Sequence, residues 1–311
     1  MAHMKILQIA AASALAATSL ASAENSPKTV RIDHEIREIE GWKVHVDASL
    51  LSGEHKQTGD LALRILGERL HQIALRLPAE PVARMKEVPI YLDRDHPLGN
   101  AHYHPEADWL EKHGYDPAMG KAVQFTRAAS LIREASRPDS SSVVLHELAH
   151  AYHDRVLGFD HPGILAGYKA FCDSRKFDRV PHVSGPLRAH YGLTDHKEFF
   201  AEMTETFFVG NDYWPFTHRM LYDEHRPSYE LLASVWGSDI KPPAPADSGE
   251  PGILELRILS TLMAQRGDFE GAFALLSKAE KRDADREGRL ADLRKHIEQL
   301  QAGSAANQDT P

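Results

Sequence analysis

Apolar residues along the chain recur at helical spacing in some segments and at strand spacing in others. Residues 28–51 contain two alternating runs that meet at Glu40 and Gly41, a pattern typical of two strands joined by a turn. Residues 59–77 carry leucine and isoleucine at helical spacing, and Pro78 ends the pattern. Shorter runs of strand-like composition cover residues 88–93, 100–105 and 121–125. This mixture predicts an α+β fold with a small mixed sheet.

Two later segments have the strongest helix signals in the chain. The helix predicted over residues 140–157 starts at the end of Pro138-Asp139-Ser140, which favours a helix start, and Gly158 follows it as a stop signal. Residues 195–212 begin with Asp195, a good N-cap residue, and end in a Gly-Asn pair. The short run 121–125 is a candidate edge strand, able to pair with an extended peptide.

The C-terminal third has a different character from the rest. We expect a main domain over residues 24–240 and a Pro-rich linker over 241–251. Residues 252–303 carry two or three amphipathic helices, part of which resembles the helix–turn–helix of a tetratricopeptide repeat. One such unit cannot bury its own apolar face, so it should dock on the main domain, and it is a candidate contact surface for another protein. The polar residues 304–311 predict a disordered tail.

The first residues have the three-part pattern of a secretory signal peptide. Residues 1–3 are typical of cloning residues before a natural start at Met4, and an apolar run follows Lys5. Small residues ending at Ala23 form a cleavage site, so residues 1–23 predict a secreted or periplasmic protein. The alternative is a buried N-terminal helix. The run is short for a membrane span, and no other segment is long and apolar enough to be one.

Overall charge and cysteine content narrow the function classes. The 311 residues carry a formal net charge of −9, which argues against a nucleic-acid partner. Cys172 is the single cysteine. The chain therefore has no internal disulfide and no cysteine-based structural zinc site.

Residues 141–158, SSVVLHELAHAYHDRVLG, place several polar groups among apolar ones. On a helix at 100° per residue, five polar side chains fall within an arc of about 120°. They are His146, Glu147, His150, His153 and Asp154. Because apolar residues cover the rest of the circumference, this helix should be largely buried. Its polar arc must then face a cleft, a charge partner or a metal.

The five residues HELAH (146–150) form an HExxH motif. Residues four apart lie on one helix face, so the imidazoles of His146 and His150 can both reach one zinc ion at about 2.0–2.1 Å. Glu147 lies further round the helix and can accept a proton from an activated water molecule. The alternative is a pair of hydrogen-bonded core histidines. His153 and Val156 stand where a metzincin would have glycine and histidine, so that class is excluded.

Candidate third ligands lie on the helix predicted over residues 195–212. Glu198, Glu202 and Glu205 share one face of it. Glu198 could instead complete a capping box with Asp195, but that would not account for Glu202 one turn later. If one carboxylate binds zinc and another holds a ligand histidine, both residues are explained.

The motif HELAH followed by YGLTDHKEFFAE resembles the gluzincin metallopeptidases, and within them the catalytic domain of the anthrax-lethal-factor-like group. The similarity covers about residues 140–210. It implies a zincin-like domain, a single Zn²⁺ and a general base. The roles it implies are zinc ligation by His146, His150 and Glu198, general base catalysis by Glu147, oxyanion binding by Tyr191 and support of a ligand histidine by Glu202. The toxin's other domains do not match, so the resemblance says nothing about the substrate.

The function predicted from these residues is a zinc-dependent metallopeptidase that cleaves a peptide or protein substrate. Two alternatives remain: a zinc amidase acting on cell-wall or other non-protein amides, and an inactive zincin-like binding or adaptor protein. The complete set of motif residues favours an enzyme, because a decayed site should have lost one of them, Glu147 most readily.

Other histidines have less specific roles. His102 and His104 alternate along a short strand and are expected to line a substrate cleft rather than to bind a second metal. His153 is expected to pack near the site rather than to ligate. His190 and His196 are alternative donors to the oxyanion.

Overall fold

The computed structural model describes residues 30–135, 142–185, 187–237, 253–282 and 289–308. The predicted signal peptide and Pro-rich linker lie outside these ranges. Within them, no helix combines the length and apolar character needed to cross a membrane.

One mixed sheet of five strands organises the first half of the chain, in the order β1–β2–β3–β5–β4. The strands are β1 (His34–Ile39), β2 (Trp42–Asp47), β3 (Ile90–Leu92), β4 (Ala101–Tyr103) and β5 (Val123–Phe125). The predicted hairpin is confirmed: β1 and β2 are antiparallel, and Glu40 and Gly41 turn the chain with φ of 52° and 86°.

Strands β2, β3 and β5 are parallel, and β4 runs antiparallel to β5 at the edge of the sheet. The prediction that residues 121–125 supply the edge strand is therefore wrong, since β5 is paired on both sides. The strand at this edge of the sheet is β4, and β1 lies at the opposite edge.

The described residues contain twelve α-helices. They are α1 (Lys56–Arg76), α2 (Ala79–Lys86), α3 (Ala107–Lys112), α4 (Ala128–Ala135), α5 (Val143–Tyr152), α6 (Pro162–Asp173), α7 (His196–Phe208), α8 (His218–Glu224), α9 (Arg226–Trp236), α10 (Ile253–Gln265), α11 (Phe269–Arg282) and α12 (Arg289–Gln308). The mixed α+β class is confirmed. The strong helix predicted near residue 200 is α7.

Helix α5 lies at the centre of the main core. It contacts β4, α1, α2 and α7, and its apolar residues Leu145, Leu148 and Ala151 are fully buried. The prediction of one regular helix over residues 140–157 is only partly right. After Tyr152 the helix widens into a π turn over His153–Leu157, and Gly158 with φ of 80° ends it. The widened turn changes the direction of the side chains that follow.

The three C-terminal helices have a small core of their own, in which Leu256, Leu276 and Ile297 are fully buried. Helix α10 also docks on the main domain: Leu262 joins the main core, and the Gln265 side chain donates to the Gly185 carbonyl at 3.2 Å. Helix α12 continues to Gln308, so the expectation of a disordered tail is wrong for residues 304–308.

Candidate metal centre and catalytic cleft

The start of α5 explains how its polar residues are aimed. Ser142 is the N-cap, and its hydroxyl accepts from the Leu145 N–H at 3.3 Å. Because the apolar side of the helix is buried against the sheet and its neighbours, the remaining side is fixed in direction. It presents His146 and His150, one turn apart, toward α7.

Helix α7 brings a carboxylate to these two histidines. Asp195 caps the helix by accepting from the Lys197 and Glu198 N–H groups at 2.7 and 2.9 Å. The Glu198 side chain lies against α5, with Oε2 at 3.0 Å from His146 Nε2 and 3.5 Å from His150 Nε2. The capping role thus belongs to Asp195, and the Glu198 carboxylate faces the histidines.

The three side chains have a donor set that could hold a metal ion. One ligand atom from each of His146, His150 and Glu198 lies within 4.8 Å of the others. Two imidazole nitrogens and one carboxylate oxygen are a combination that first-row metals favour. The residues present therefore fit a single bound cation.

Two further carboxylates, from Glu202 and Glu205, lie on the Nδ1 side of the His146 ring. Its Nδ1 lies 2.7 Å from Glu205 Oε1 and 3.5 Å from Glu202 Oε1, and both carboxylates are buried. Glu202 is occupied elsewhere, because its Oε2 accepts from the Asn211 side-chain amide at 3.1 Å. The closer partner of the histidine is therefore Glu205, two turns after Glu198, rather than Glu202.

Burial and pairing change the protonation of this cluster in opposite directions. Burial lowers the pKa of His146, but its hydrogen bonds to Glu198 and Glu205 outweigh burial and raise the pKa well above its usual value. Burial also raises the pKa of Glu198, but bonding to the two histidines brings it far below normal. A cation that used His146 Nε2 would have to displace the proton held there.

The two supporting carboxyls behave differently from Glu198. Burial, and then the neighbouring Glu205, raise the pKa of Glu202, and burial also raises the pKa of Glu205. Two buried carboxyls this close disfavour double ionisation. Burial therefore favours the neutral form of both carboxyls, and the nearby His146 opposes it.

Glu147 is buried beside the metal-ligand candidates and is held by the sheet. Its Oε2 accepts from the Tyr103 backbone N–H at 2.7 Å. Tyr103 lies on the edge strand β4, and its hydroxyl donates to Asp154 Oδ2 at 2.6 Å. The strand and the π turn after α5 therefore fix the position of this carboxylate together.

Tyr191 lies across the cleft on a 3₁₀ turn, Tyr191–Leu193. His190 Nδ1 accepts from the Gly192 N–H at 3.0 Å, which anchors the turn. The Tyr191 ring centroid is 6.4 Å from that of His146, and the residue is 45% exposed. Burial, and then the charge of Glu198, raise the pKa of its hydroxyl, so the group keeps its proton at neutral pH.

These groups line one open cleft of about 560 Å³. The residues to which the family resemblance gives a role all lie in its wall: His146, Glu147, His150, Tyr191, Glu198 and Glu202. The wall also includes Asp212, Tyr213 and Glu205, the last of which the sequence placed among the candidate ligands but to which the family resemblance gave no role. The position of Glu205 on the same helical face was the available signal.

Of the histidines His102, His104 and His153, only His102 reaches the cleft. His102 lines the cleft, whereas His104 is buried with Nε2 at 2.8 Å from Gln124 Oε1. His153 is fully buried between Phe159 and Phe200, with ring centroids at 5.1 and 4.9 Å. It lies outside the cleft wall.

The chain matches no protein-family model, no curated protein and no solved structure.

Proposed function

We propose that the protein is a zinc-dependent metallopeptidase whose active site is the cleft between α5 and α7. The observation that supports this most is the convergence of His146, His150 and Glu198 within 4.8 Å, beside the buried carboxylate of Glu147. The sheet with α5 and α7 would then be a zincin-like catalytic unit of the gluzincin type. Helices α10 and α11, joined at Gly267, would be its tetratricopeptide-like attachment.

In this proposal the two histidines and Glu198 hold one Zn²⁺. A His₂Glu set is one of the usual protein ligand sets of catalytic zinc, which keeps a further position open. When bound, zinc supplies a Lewis acid that lowers the pKa of a water molecule toward about 7. The remaining chemistry belongs to the side chains of the chain itself.

Glu147 acts as general base in the proposed reaction. Its carboxylate takes a proton from the attacking water and later gives a proton to the leaving amine. The Tyr103 N–H holds one of its oxygens, which leaves the other to face the cleft. The Tyr191 hydroxyl donates to the oxygen that gains negative charge as the carbonyl is attacked.

Glu205 is the positioning residue for His146. By accepting from Nδ1–H at 2.7 Å, it fixes the ring orientation in which Nε2 faces the ligand site and would bind the cation in place of its proton. We assign this role to Glu205 in place of Glu202, to which the family resemblance would give it. Glu202 then acts through Asn211 to hold the end of α7.

A peptide or protein substrate suits the surroundings of the cleft. Its wall carries five carboxylates, at Glu147, Glu198, Glu202, Glu205 and Asp212. They repel a nucleic-acid backbone. The edge strand β4 borders the cleft, and an extended chain can pair with such an edge. Amide bonds outside proteins would need the same metal chemistry, so substrate profiling decides between the two.

The proposal is tested first by metal content. Purified wild type should contain about one zinc per chain, and His146→Ala with His150→Ala should contain almost none, because two of three ligands are lost. His71→Ala, an exposed histidine on α1, is the control and should retain the metal. Wild type without zinc, or full zinc in the double variant, contradicts the proposal.

Hydrolysis is the second part of the same experiment. Wild type should cleave members of a mixed peptide library, and a chelator should stop it. Bound zinc with no cleavage of any peptide would favour a binding or adaptor protein. Cleavage restricted to non-protein amides would favour an amidase.

A further inference from the structure

A second pocket adjoins the catalytic cleft across the edge strand. It measures about 280 Å³ and is walled by Leu98 before β4 and by Pro105, Glu106 and Trp109 after it. His102 and Tyr103 line both this pocket and the cleft. Because Tyr103 also donates its N–H to Glu147, the pocket begins next to the proposed general base.

The pocket is apolar and has an exposed indole. Trp109 is 44% exposed, whereas the other three tryptophans of the chain are at most 3% exposed. Its ring stacks on His113 at a centroid distance of 4.0 Å, and His113 Nδ1 lies 2.7 Å from the Trp109 carbonyl. The indole is therefore held in place while part of its surface faces solvent. Such a surface gains free energy when an apolar group covers it.

Size and position suggest what covers it. Whole small-molecule ligands generally occupy about 300 Å³ or more, so this pocket suits one side chain better than a separate ligand. Residues advance about 3.3 Å along a strand. Because His102 and Tyr103 line both the cleft and this pocket, a substrate lying along β4 would pass from one to the other and bring a side chain near the attacked bond to Trp109.

We propose that the Trp109 pocket binds a large apolar side chain of the substrate, aromatic or aliphatic, and so sets the cleavage preference. This inference rests on the proposed peptidase function. It defines the substrate class as peptides with such a residue close to the scissile bond. The neighbouring Glu106 disfavours an acidic side chain at the same position.

The kinetic test uses peptides that differ only in one residue near the mapped cleavage site: Phe, Leu, Ala or Glu. Wild type should prefer Phe and Leu over Ala by about tenfold or more in kcat/KM. Trp109→Ala should lose most of this preference while cleaving the Ala peptide at a similar rate. Trp109→Phe should keep it, and Leu75→Ala, which removes an exposed side chain on α1, should behave as wild type. An equal fall for every peptide, or an unchanged preference in Trp109→Ala, overturns the proposal.

A second measurement does not depend on hydrolysis. Since Trp109 is the exposed tryptophan, acrylamide quenching of fluorescence reports mainly on its indole. In Glu147→Gln protein, the Phe peptide should shield the indole and the Ala peptide should not. Shielding without any cleavage by wild type would support the pocket and contradict the peptidase function. Cleavage without shielding would support the function and overturn the pocket.

Discussion

Helix α5 and the π turn that follows it carry histidines that the sequence places on one helical face, but the surroundings of these histidines are opposite. In the first two turns, His146 and His150 meet carboxylates from α7 at 2.7 to 3.5 Å. In the π turn, His153 is fully buried beside phenylalanine rings, and neither of its nitrogens has a hydrogen-bond partner. The sequence alone placed all three on one polar arc.

The difference shows what makes a histidine a ligand candidate. Helical spacing brings imidazoles to one face, but only an opposing helix can supply the third donor and the carboxylate behind the ring. Helix α7 supplies both to the first two turns. His153, the first residue of the widened turn, also lies against α7, but there it packs on the Phe200 ring at a centroid distance of 4.9 Å and not on a carboxylate.

Glu147→Gln should give the largest effect in the first two turns. The amide keeps the size of the side chain and can still accept from the Tyr103 N–H, so fold and metal content should be unchanged. It cannot act as a base, and hydrolysis should fall by about 10²–10⁴. Peptide cleavage assays with metal analysis of the same samples measure both quantities.

The matched change in the π turn is Asp154→Asn. Asp154 lies outside the cleft wall, and its carboxylate accepts from the Tyr103 hydroxyl. The amide oxygen of asparagine can accept the same hydrogen bond. Only a small loss of activity is expected. If Asp154→Asn kept its metal but were as inactive as Glu147→Gln, the contrast between α5 and the π turn would be lost.

Much of this arrangement could be predicted from local patterns. The β1–β2 hairpin and the cap and stop of α7 follow from turn residues, capping residues and helical periodicity. These signals lie within a few residues of the feature they predict. They required no knowledge of how distant elements pack.

The features that were not predicted depend on tertiary packing. Helices α2, α3, α4 and α8 have eight residues or fewer, so their sequence patterns alone are too weak to assign them. Glu202 and Glu205 share one helical face, so only the crossing of α7 over α5 decides which is nearer to His146 Nδ1. The position of β4 at the sheet edge likewise depends on strand order rather than on its sequence.

Glu205→Gln sharpens the comparison with a smaller effect. Removing the charge behind His146 should weaken zinc binding about 10–100-fold, the usual cost of losing the partner of a ligand histidine. Glu202→Gln is the control and should cost less, because Glu202 lies 3.5 Å from Nδ1 and already bonds Asn211.

Competition with a chelator of known affinity measures zinc binding in both variants. NMR of the His146 ring should also show a changed tautomer in Glu205→Gln, an effect that general destabilisation of the fold would not produce. A larger loss of affinity in Glu202→Gln would return the positioning role to Glu202.

The smallest effect, and one of opposite sign, is expected in the π turn. Burial, and then the nearby His196 and His150, lower the pKa of His153 to about 3. The unfolded chain takes up this proton below about pH 6.5, whereas the folded protein does not. The contribution of neutral His153 to stability is therefore complete above that pH and is lost as the pH falls toward 3.

His153→Leu should remove this pH sensitivity. The free energy of unfolding of the variant relative to wild type should therefore be about 1 kcal/mol higher at about pH 5.5 than at about pH 7.5. Urea unfolding of metal-free protein measures it, with exposed His71→Leu as the control. Loss of zinc from folded His153→Leu would instead make His153 part of the metal site and abolish the contrast within α5.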